Sequence, residues 1–152
     1  VRSRGLGDVY KRQAVNHRNY DDYRTGLQDI PGIYLIAYDD TERRNYQYII
    51  VEVDEALSGI SRDDLVRVLH VEKVLVRRYF YPGCHEMEPY RSYFPHAKLL
   101  LPETERLTQK VMSLPTGTAV GTEEIAGVCA LIRLAVDNSQ ELKLKLGTLS
   151  EK

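Results

Sequence analysis

Two stretches of the chain carry the apolar and polar pattern of β-strands. The run IYLIAY (33–38) is short and rich in β-branched and aromatic residues, and YQYIIVEVD (46–54) alternates along its length. A charged turn, DDTERRN (39–45), separates the two runs, so we expect them to form an antiparallel pair. A third run, VLVRRYF (74–80), predicts another strand.

Apolar residues at helical spacing predict the first two helices. Tyr20, Tyr23 and Leu27 recur at i, i+3 and i+7 and predict a helix over 15–27. Ser61 is followed by two aspartates, which predicts the N-cap and acidic first turn of a second helix that ends near His70. The buried face of this second helix is expected to consist of Leu65, Val68 and Leu69.

Two further helices are predicted after residue 100. Thr104, Leu107 and Val111 share one face of a helix over 102–112, and residues 113–115 are expected to form an extended link. Thr122, followed by two glutamates, begins the last helix. The inner face of that helix is expected to consist of Ile125, Val128, Cys129, Ile132 and Val136.

This order of elements predicts an α+β fold, with helices packed on one face of a small, mostly antiparallel sheet. We assign that domain to residues 14–136. Residues 1–13 mix basic residues and glycine without a helical or strand period, and we interpret them as a non-native leader; a basic, disordered native N-terminus is the alternative. Residues 137–152 form a polar, lysine-rich tail that we expect to fray.

Composition excludes several classes of function. The 152 residues suffice for one domain, and the net charge of -1 gives no basic footprint for nucleic acid. No stretch approaches the ~18 apolar residues of a membrane span. Cys84 and Cys129 are too few for a disulfide framework and lack the spacing of a metal or redox motif. We therefore expect a cytoplasmic protein that binds neither membrane, nucleic acid nor metal.

The stretch RRYFYPGCHEMEPYRSYF (77–94), here called the central segment, is the richest in aromatic, basic and turn-forming residues. Its prolines, with Pro95 after it, exclude a long helix and predict a shaped loop. Loops of this composition commonly meet a ligand or partner. The alternative is a long crossover whose tyrosines pack on a neighbouring helix.

The central segment supplies the candidate binding residues. Adjacent strand residues point to opposite faces, so only one of Arg77 and Arg78 is expected to face a pocket, where it would hold a phosphate or a carboxylate. By the same alternation Tyr79 and Tyr81 share one face and Phe80 takes the other. The full candidate set for substrate binding is His85, Tyr79, Tyr81, Arg77 and Arg78.

Other residues of the segment receive structural interpretations. Pro82 and Gly83 are expected to build a turn, with Gly83 in a backbone conformation that strains other residues. Glu86 and Glu88 are interpreted as surface or hinge charges. Cys84 lies beside His85, but adjacent side chains rarely meet, so a thiol mechanism is not expected.

The segments NHRNYDDYRTGL, IPGIYLI and NYQYIIVEVD, followed by RRYFYPGCHEMEPYRS and SLPTGT, resemble the C-terminal small domain of the DegT/DnrJ/EryC1/StrS aminotransferases. The resemblance covers residues 14–136. It implies a fold-type-I homodimer that uses pyridoxal 5'-phosphate to aminate a nucleotide-linked keto-deoxy sugar, with a dTDP-4-keto-6-deoxyhexose as substrate and glutamate as amino donor. It also places His85 where family members carry a substrate-facing histidine; a histidine satisfied by backbone groups at a turn is the alternative.

The sequence departs from the family at the cofactor lysine. None of the lysines lies in the Gly-rich setting with Ser and Phe that the resemblance requires, and no aspartate matches the partner of the pyridinium nitrogen. We therefore expect a fragment that carries no catalytic residue and is inactive alone, with the cofactor held mainly by a missing large domain. The alternatives are a non-catalytic module that binds sugar nucleotides or pairs with a subunit, and a sugar 3-dehydratase of the same scaffold.

Overall fold

The computed structural model describes residues 6–39 and 41–150 of the chain. These residues form helices and short strands, and a 3-10 turn at Cys84–Glu86 interrupts the central segment. The strands are β1 (Ile33–Leu35), β2 (Ile49–Val53), β3 (Arg77–Arg78) and β4 (Val111–Leu114). The helices are α1 (Leu6–Gly26), α2 (Glu55–Ser58), α3 (Arg62–Val71), α4 (Tyr90–Tyr93), α5 (Ala97–Leu100), α6 (Pro102–Lys110), α7 (Thr122–Asp137) and α8 (Ser139–Ser150).

The strands form a four-stranded antiparallel sheet in the order β1-β2-β4-β3. The expected antiparallel pair, β1 and β2, is confirmed, with Ile33 opposite Val53. Strand β4 fills the centre of the sheet beside β2, and Val51 lies opposite Met112. The predicted third strand is much shorter than expected, because only Arg77–Arg78 of the run 74–80 pairs with β4.

Strand β4 is the element that the sequence analysis placed wrongly. Helix α6 ends at Lys110, and Val111 and Met112 belong to the strand rather than to the helix. Val111 fits the helical spacing of Thr104 and Leu107, but pairing with β2 buries it and buries Met112 completely. Tertiary pairing therefore outweighs the local helical pattern.

The core lies between one face of the sheet and helices α1, α3 and α7. Ile49, Val51 and Val53 alternate along β2 and are buried beneath these helices, whereas Ile50 and Glu52 point to the other face and are partly exposed. This arrangement confirms the predicted α+β fold with helices on one face of an antiparallel sheet. None of the helices in the described ranges is long and apolar enough to cross a membrane.

The predicted helix faces agree with the burial. Tyr20, Tyr23 and Leu27 of α1 are buried, as are Leu65 and Leu69 of α3, while Val68 is half-buried. The N-cap of α3 is Ser61, as predicted. The predicted inner face of α7 is buried throughout: Ile125, Val128, Cys129, Ile132 and Val136.

The ends of the chain differ from the sequence expectation. Helix α1 begins at Leu6 rather than near residue 15, so part of the segment interpreted as a leader is helical. The tail forms helix α8 instead of fraying. Leu142 packs against the core, and Lys143 pairs with Glu55 at 2.8 Å, which holds this helix on the domain. The native or non-native origin of residues 1–13 stays a prediction.

Candidate functional site

The central segment runs as an irregular loop with short helical turns, in agreement with its prolines. It leaves the sheet after Arg78 and makes the 3-10 turn at Cys84–Glu86 before helix α4. Most of its aromatic side chains are exposed. The site is built where this loop meets the start of α3 and one face of α6.

Arg78 enters a charged cluster at the start of α3. Its Nε lies 2.8 Å from Oδ1 of Asp63, and Nε of Arg62 lies 2.7 Å from the same oxygen. The ring of Tyr81 lies close to both guanidinium groups, 5.4 Å from Arg62 and 5.3 Å from Arg78. One carboxylate and one aromatic face therefore hold two arginines together, and the three charges sum to +1.

Arg77 lies on the opposite face of the sheet. It stands opposite Ser113 of β4, whereas Arg78 stands opposite Met112, whose side chain faces the core. Within the described ranges the Arg77 guanidinium has no ion-pair partner closer than 4.0 Å. Of the two arginines, Arg78 is the one that reaches the cluster with Tyr81.

The expectation that Tyr79 and Tyr81 share one face is wrong. Strand β3 ends at Arg78, and Phe80 adopts a left-handed backbone conformation with φ of 52°, so the alternation of a strand no longer applies beyond Tyr79. Tyr79 instead contacts Phe80, with ring centroids 4.1 Å apart, and Tyr48 of the neighbouring chain segment, at 5.9 Å. Tyr81 alone joins the arginine cluster.

His85 is held by the helix α6. Its Nε2 lies 2.6 Å from Oε1 of Glu105, and the two side chains are only 9% and 17% exposed. The other oxygen of Glu105 lies 3.2 Å from Nζ of Lys98 on α5. These contacts tie the 3-10 turn to two helices.

Gly83 has no side chain, and this allows the imidazole of His85 to pack against its backbone. A Cβ at this position would lie 2.6 Å from Cε1 and 2.9 Å from Nδ1 of the imidazole. The backbone itself is ordinary, with φ of -59° and ψ of 153°, so the expected strained conformation is wrong. Gly83 is required for close approach rather than for an unusual backbone.

Two cavities meet at this turn. The polar cleft, as we call the first, has a volume of about 490 Å³ and is lined by Arg62, Asp63, Tyr81, Glu86, Lys98 and Glu105, among others. The apolar cavity, the second, has a volume of about 700 Å³ and is lined mainly by Phe80, Cys84, His85, Tyr90, Phe94 and Leu107. Gly83 borders both. His85 thus lies at the boundary between a charged surface and an aromatic one.

Glu105 and Lys98 form an ion pair within the polar cleft. The hydrogen bond from His85, followed by that from Lys98, lowers the pKa of Glu105, and Glu105 in turn raises the pKa of Lys98. His85, Glu86 and Glu105 each place one ligand atom within 4.8 Å of the others, a spacing compatible with a divalent cation. The Lys98 ammonium supplies positive charge at that place.

Several partners in this site were not predicted from the sequence. Arg62, Lys98 and Glu105 complete the cluster, but none belongs to the central segment. Glu105 and His85 are 20 positions apart, so no local spacing connects them. Glu88, by contrast, accepts hydrogen bonds from Arg91 and Ser92 at the surface, where the sequence placed it.

Comparison with known proteins gives a family for this architecture. The chain matches the model of the DegT/DnrJ/EryC1/StrS aminotransferase family over residues 2–133. The chain belongs to this family. The match begins within the segment that we interpreted as a leader.

This chain is similar in sequence to proteins of two bacteria. It is 28% identical to the dTDP-4-amino-4,6-dideoxy-D-glucose transaminase of Escherichia coli, over 83% of this chain and 33% of that protein. The spore coat polysaccharide biosynthesis protein SpsC of Bacillus subtilis is 22% identical over 84% of this chain and 32% of its own length.

Two solved structures have the same fold as this chain. DesI, solved in the presence of its TDP-sugar product, superposes with a TM-score of 0.83 and 46% identity over 92% of this chain and 35% of its own. DesV of S. venezuelae superposes with a TM-score of 0.75 at 20% identity, over 86% of this chain and 33% of its own. The chain therefore spans about a third of the length of the relatives it matches.

Proposed function

We propose that this chain is the C-terminal small-domain part of a pyridoxal-phosphate-dependent aminotransferase that acts on a nucleotide-linked keto-deoxy sugar. The observation that carries the proposal is the 46% identity over 92% of the chain with DesI, which was solved with its TDP-sugar product. The substrate is a dTDP-linked 4-keto-6-deoxyhexose, and glutamate is the amino donor. The complete enzyme is a cytoplasmic homodimer that needs no metal, nucleic acid or membrane.

Two lysines of the described ranges, Lys98 and Lys143, are held in ion pairs that do not suit the cofactor. Pyridoxal phosphate needs a lysine that can lose its proton and bond to the aldehyde carbon, together with a carboxylate at the pyridinium nitrogen. Lys98 is paired with Glu105, which raises the pKa of Lys98 and opposes that role. Lys143 is paired with Glu55 on the surface. We place the cofactor lysine in a part of the enzyme outside this chain, so that this chain has no catalytic residue of its own.

The role that we assign to this chain is to orient the sugar nucleotide. Arg78 still has guanidinium donors beyond the one used by Asp63, and these suit a phosphate oxygen. Tyr81, with its ring over the arginines, offers a phenolic hydroxyl beside them. His85 contacts the sugar. Tyr79 and Arg77 lie apart from this cluster and would contact substrate from the other face of the sheet.

The test is an absorbance scan after addition of pyridoxal phosphate to the 152-residue chain, beside the longer product of the same reading frame. We expect the absorbance band of lysine-bound cofactor to survive dialysis only in the longer protein. A dialysis-resistant band in the short chain would place the cofactor lysine among its own lysines. That result would refute the proposal that the cofactor lysine lies outside this chain.

Activity of the longer protein separates the remaining functions. We expect transfer of the amino group from glutamate to a dTDP-4-keto-6-deoxyhexose, detected as 2-oxoglutarate. Loss of the C3 hydroxyl without uptake of nitrogen would instead identify a sugar 3-dehydratase. A reading frame that encodes no upstream domain with a cofactor lysine would identify a non-catalytic binding module.

A further inference from the structure

The contact between His85 and Glu105 determines which imidazole nitrogen carries the proton. A carboxylate only accepts hydrogen bonds, so the atom 2.6 Å from its oxygen must be the donor. That atom is Nε2 of His85. The pKa of Glu105 is lowered by this bond and by Lys98, which keeps the acceptor ionised. In the neutral imidazole, Nδ1 is therefore left without a proton.

The ring is also held in place. Lys98 fixes the second oxygen of Glu105 at 3.2 Å, and Gly83 lets the Nδ1 and Cε1 edge approach the backbone. Nδ1 has no hydrogen-bond partner among the residues that the structure describes. Both Gly83 and His85 border the apolar cavity. None of the buried side-chain nitrogen and oxygen atoms in the described ranges lacks a partner, so the unpartnered Nδ1 keeps some accessible surface.

We propose that Glu105 is a positioning residue that fixes His85 in the tautomer protonated at Nε2, so that His85 offers a ligand only an acceptor at Nδ1. This acceptor distinguishes between ligand groups. It accepts a hydrogen bond from a sugar hydroxyl, whereas an ionised phosphate oxygen has no proton to donate to it. This inference rests on the proposed function: Nδ1 of His85 accepts a hydrogen bond from a sugar hydroxyl, and Arg78 binds the phosphates. The Nε2 donor of His85 is used within the chain, in the bond to Glu105.

The tautomer is measurable by long-range ¹H–¹⁵N NMR of the imidazole nitrogens in the 152-residue chain, at a pH where the imidazoles are neutral. We expect His85 to show the pattern of a ring protonated at Nε2. His70 gives an internal reference, since its Nε2 lies 2.8 Å from the carbonyl oxygen of Val76 and must also be the donor. Exposed His96 gives the averaged pattern of an unconstrained ring.

The isosteric variant Glu105→Gln tests the cause. An amide presents a donor as well as an acceptor, so the His85 nitrogens should move toward the pattern of His96 while the shape of the site is kept. The matched control is Glu103→Gln on the same helix, whose carboxylate pairs with Arg106 and should leave His85 unchanged. A wild-type ring protonated at Nδ1, or an unchanged pattern in Glu105→Gln, would overturn the assignment.

A ligand titration separates this inference from the proposed function. With dTDP-glucose as the probe, we expect the Nδ1 resonance to shift, and inorganic phosphate at equal concentration should leave it in place. If dTDP-glucose binds without moving Nδ1, the acceptor role is refuted. If it moves no resonance of the chain, the hydroxyl contact and the sugar-nucleotide role assigned to this chain are both refuted, and the tautomer result for Glu105 is unaffected.

Discussion

At the scale of single residues, the site depends on a missing side chain as much as on those present. Gly83 allows the imidazole of His85 to lie where a Cβ would come within 2.6 Å of Cε1. The imidazole cannot retreat freely, because Glu105 holds its Nε2 from α6. A methyl group at residue 83 therefore forces either the ring or the turn to move.

We predict that Gly83→Ala destabilises the domain by about 1–3 kcal/mol, the usual cost of overpacking a tight contact. The control is Gly127→Ala, because Gly127 lies within α7 with nothing within 4 Å of the added methyl. That change should stabilise the helix by roughly 0.5–1 kcal/mol. Urea unfolding of both variants measures the difference, and equal effects of the two would contradict the contact.

Cys129 predicts how stability depends on alkaline pH. Burial raises the pKa of its thiol to about 11, above the ordinary value of about 8.5. Between these values the unfolded chain loses the proton that the folded chain keeps, so the free energy of unfolding falls as pH rises. Burial also raises the pKa of Tyr23, which extends the trend to higher pH.

Urea unfolding between pH 8 and 10 checks this expectation. Cys129→Ala removes the titrating group and should flatten the fall in stability over that range. Cys84→Ala removes an exposed thiol instead and should keep the wild-type slope. Parallel profiles for wild type and Cys129→Ala would show that another group is responsible.

At the scale of elements, the structure separates what local pattern determines from what pairing determines. The cap at Ser61 and the buried stripe of α7 depend on neighbours in sequence, and both were predicted. Strand β4 depends on β2, which lies far away in sequence, and was missed. In the site, Arg78 and His85 were recognised by residue type, but Glu105 was not, since only the docking of α6 brings it to His85.

Asn19 is a second case of a long-range contact that no local pattern indicates. It is completely buried in α1, and its Nδ2 donates to the carbonyl oxygen of Gly117 at 3.1 Å and lies 3.3 Å from Oγ1 of Thr116. These bonds tie the first helix to the connection between β4 and α7. Removing the amide leaves buried acceptors without a donor.

We predict that Asn19→Ala lowers the free energy of unfolding by about 1–3 kcal/mol, the cost of unsatisfied buried polar groups. Asn16→Ala is the control on the same helix, because its amide donates to the carbonyl of Asn45 at an exposed position. Its effect should stay within about 0.5 kcal/mol. Thermal or urea unfolding distinguishes the two, and a neutral Asn19→Ala would mean that the connection is held by other contacts.

At the scale of the whole molecule, one region carries nine large exposed apolar side chains among the residues that the structure describes. Its members lie in the central segment and in the helical turn that follows it. We define this apolar surface by Phe80, Tyr81, Met87, Tyr90, Tyr93, Phe94, Leu99, Leu100 and Leu101. Soluble monomers rarely expose large contiguous apolar patches. The chain spans about a third of the length of its relatives. Under the function proposed above, the rest of the enzyme covers this surface.

The 152-residue chain alone should therefore self-associate through the apolar surface. We expect its weight-average sedimentation coefficient to rise with protein concentration. Leu99→Glu combined with Leu100→Glu should suppress the rise, since these side chains are 79% and 77% exposed and a charge there costs little in the monomer. The matched control, Leu134→Glu with Leu144→Glu, charges exposed leucines of α7 and α8 and should leave association unchanged. A wild-type chain that sediments as a monomer at every concentration would refute the interpretation of this surface as a covered one.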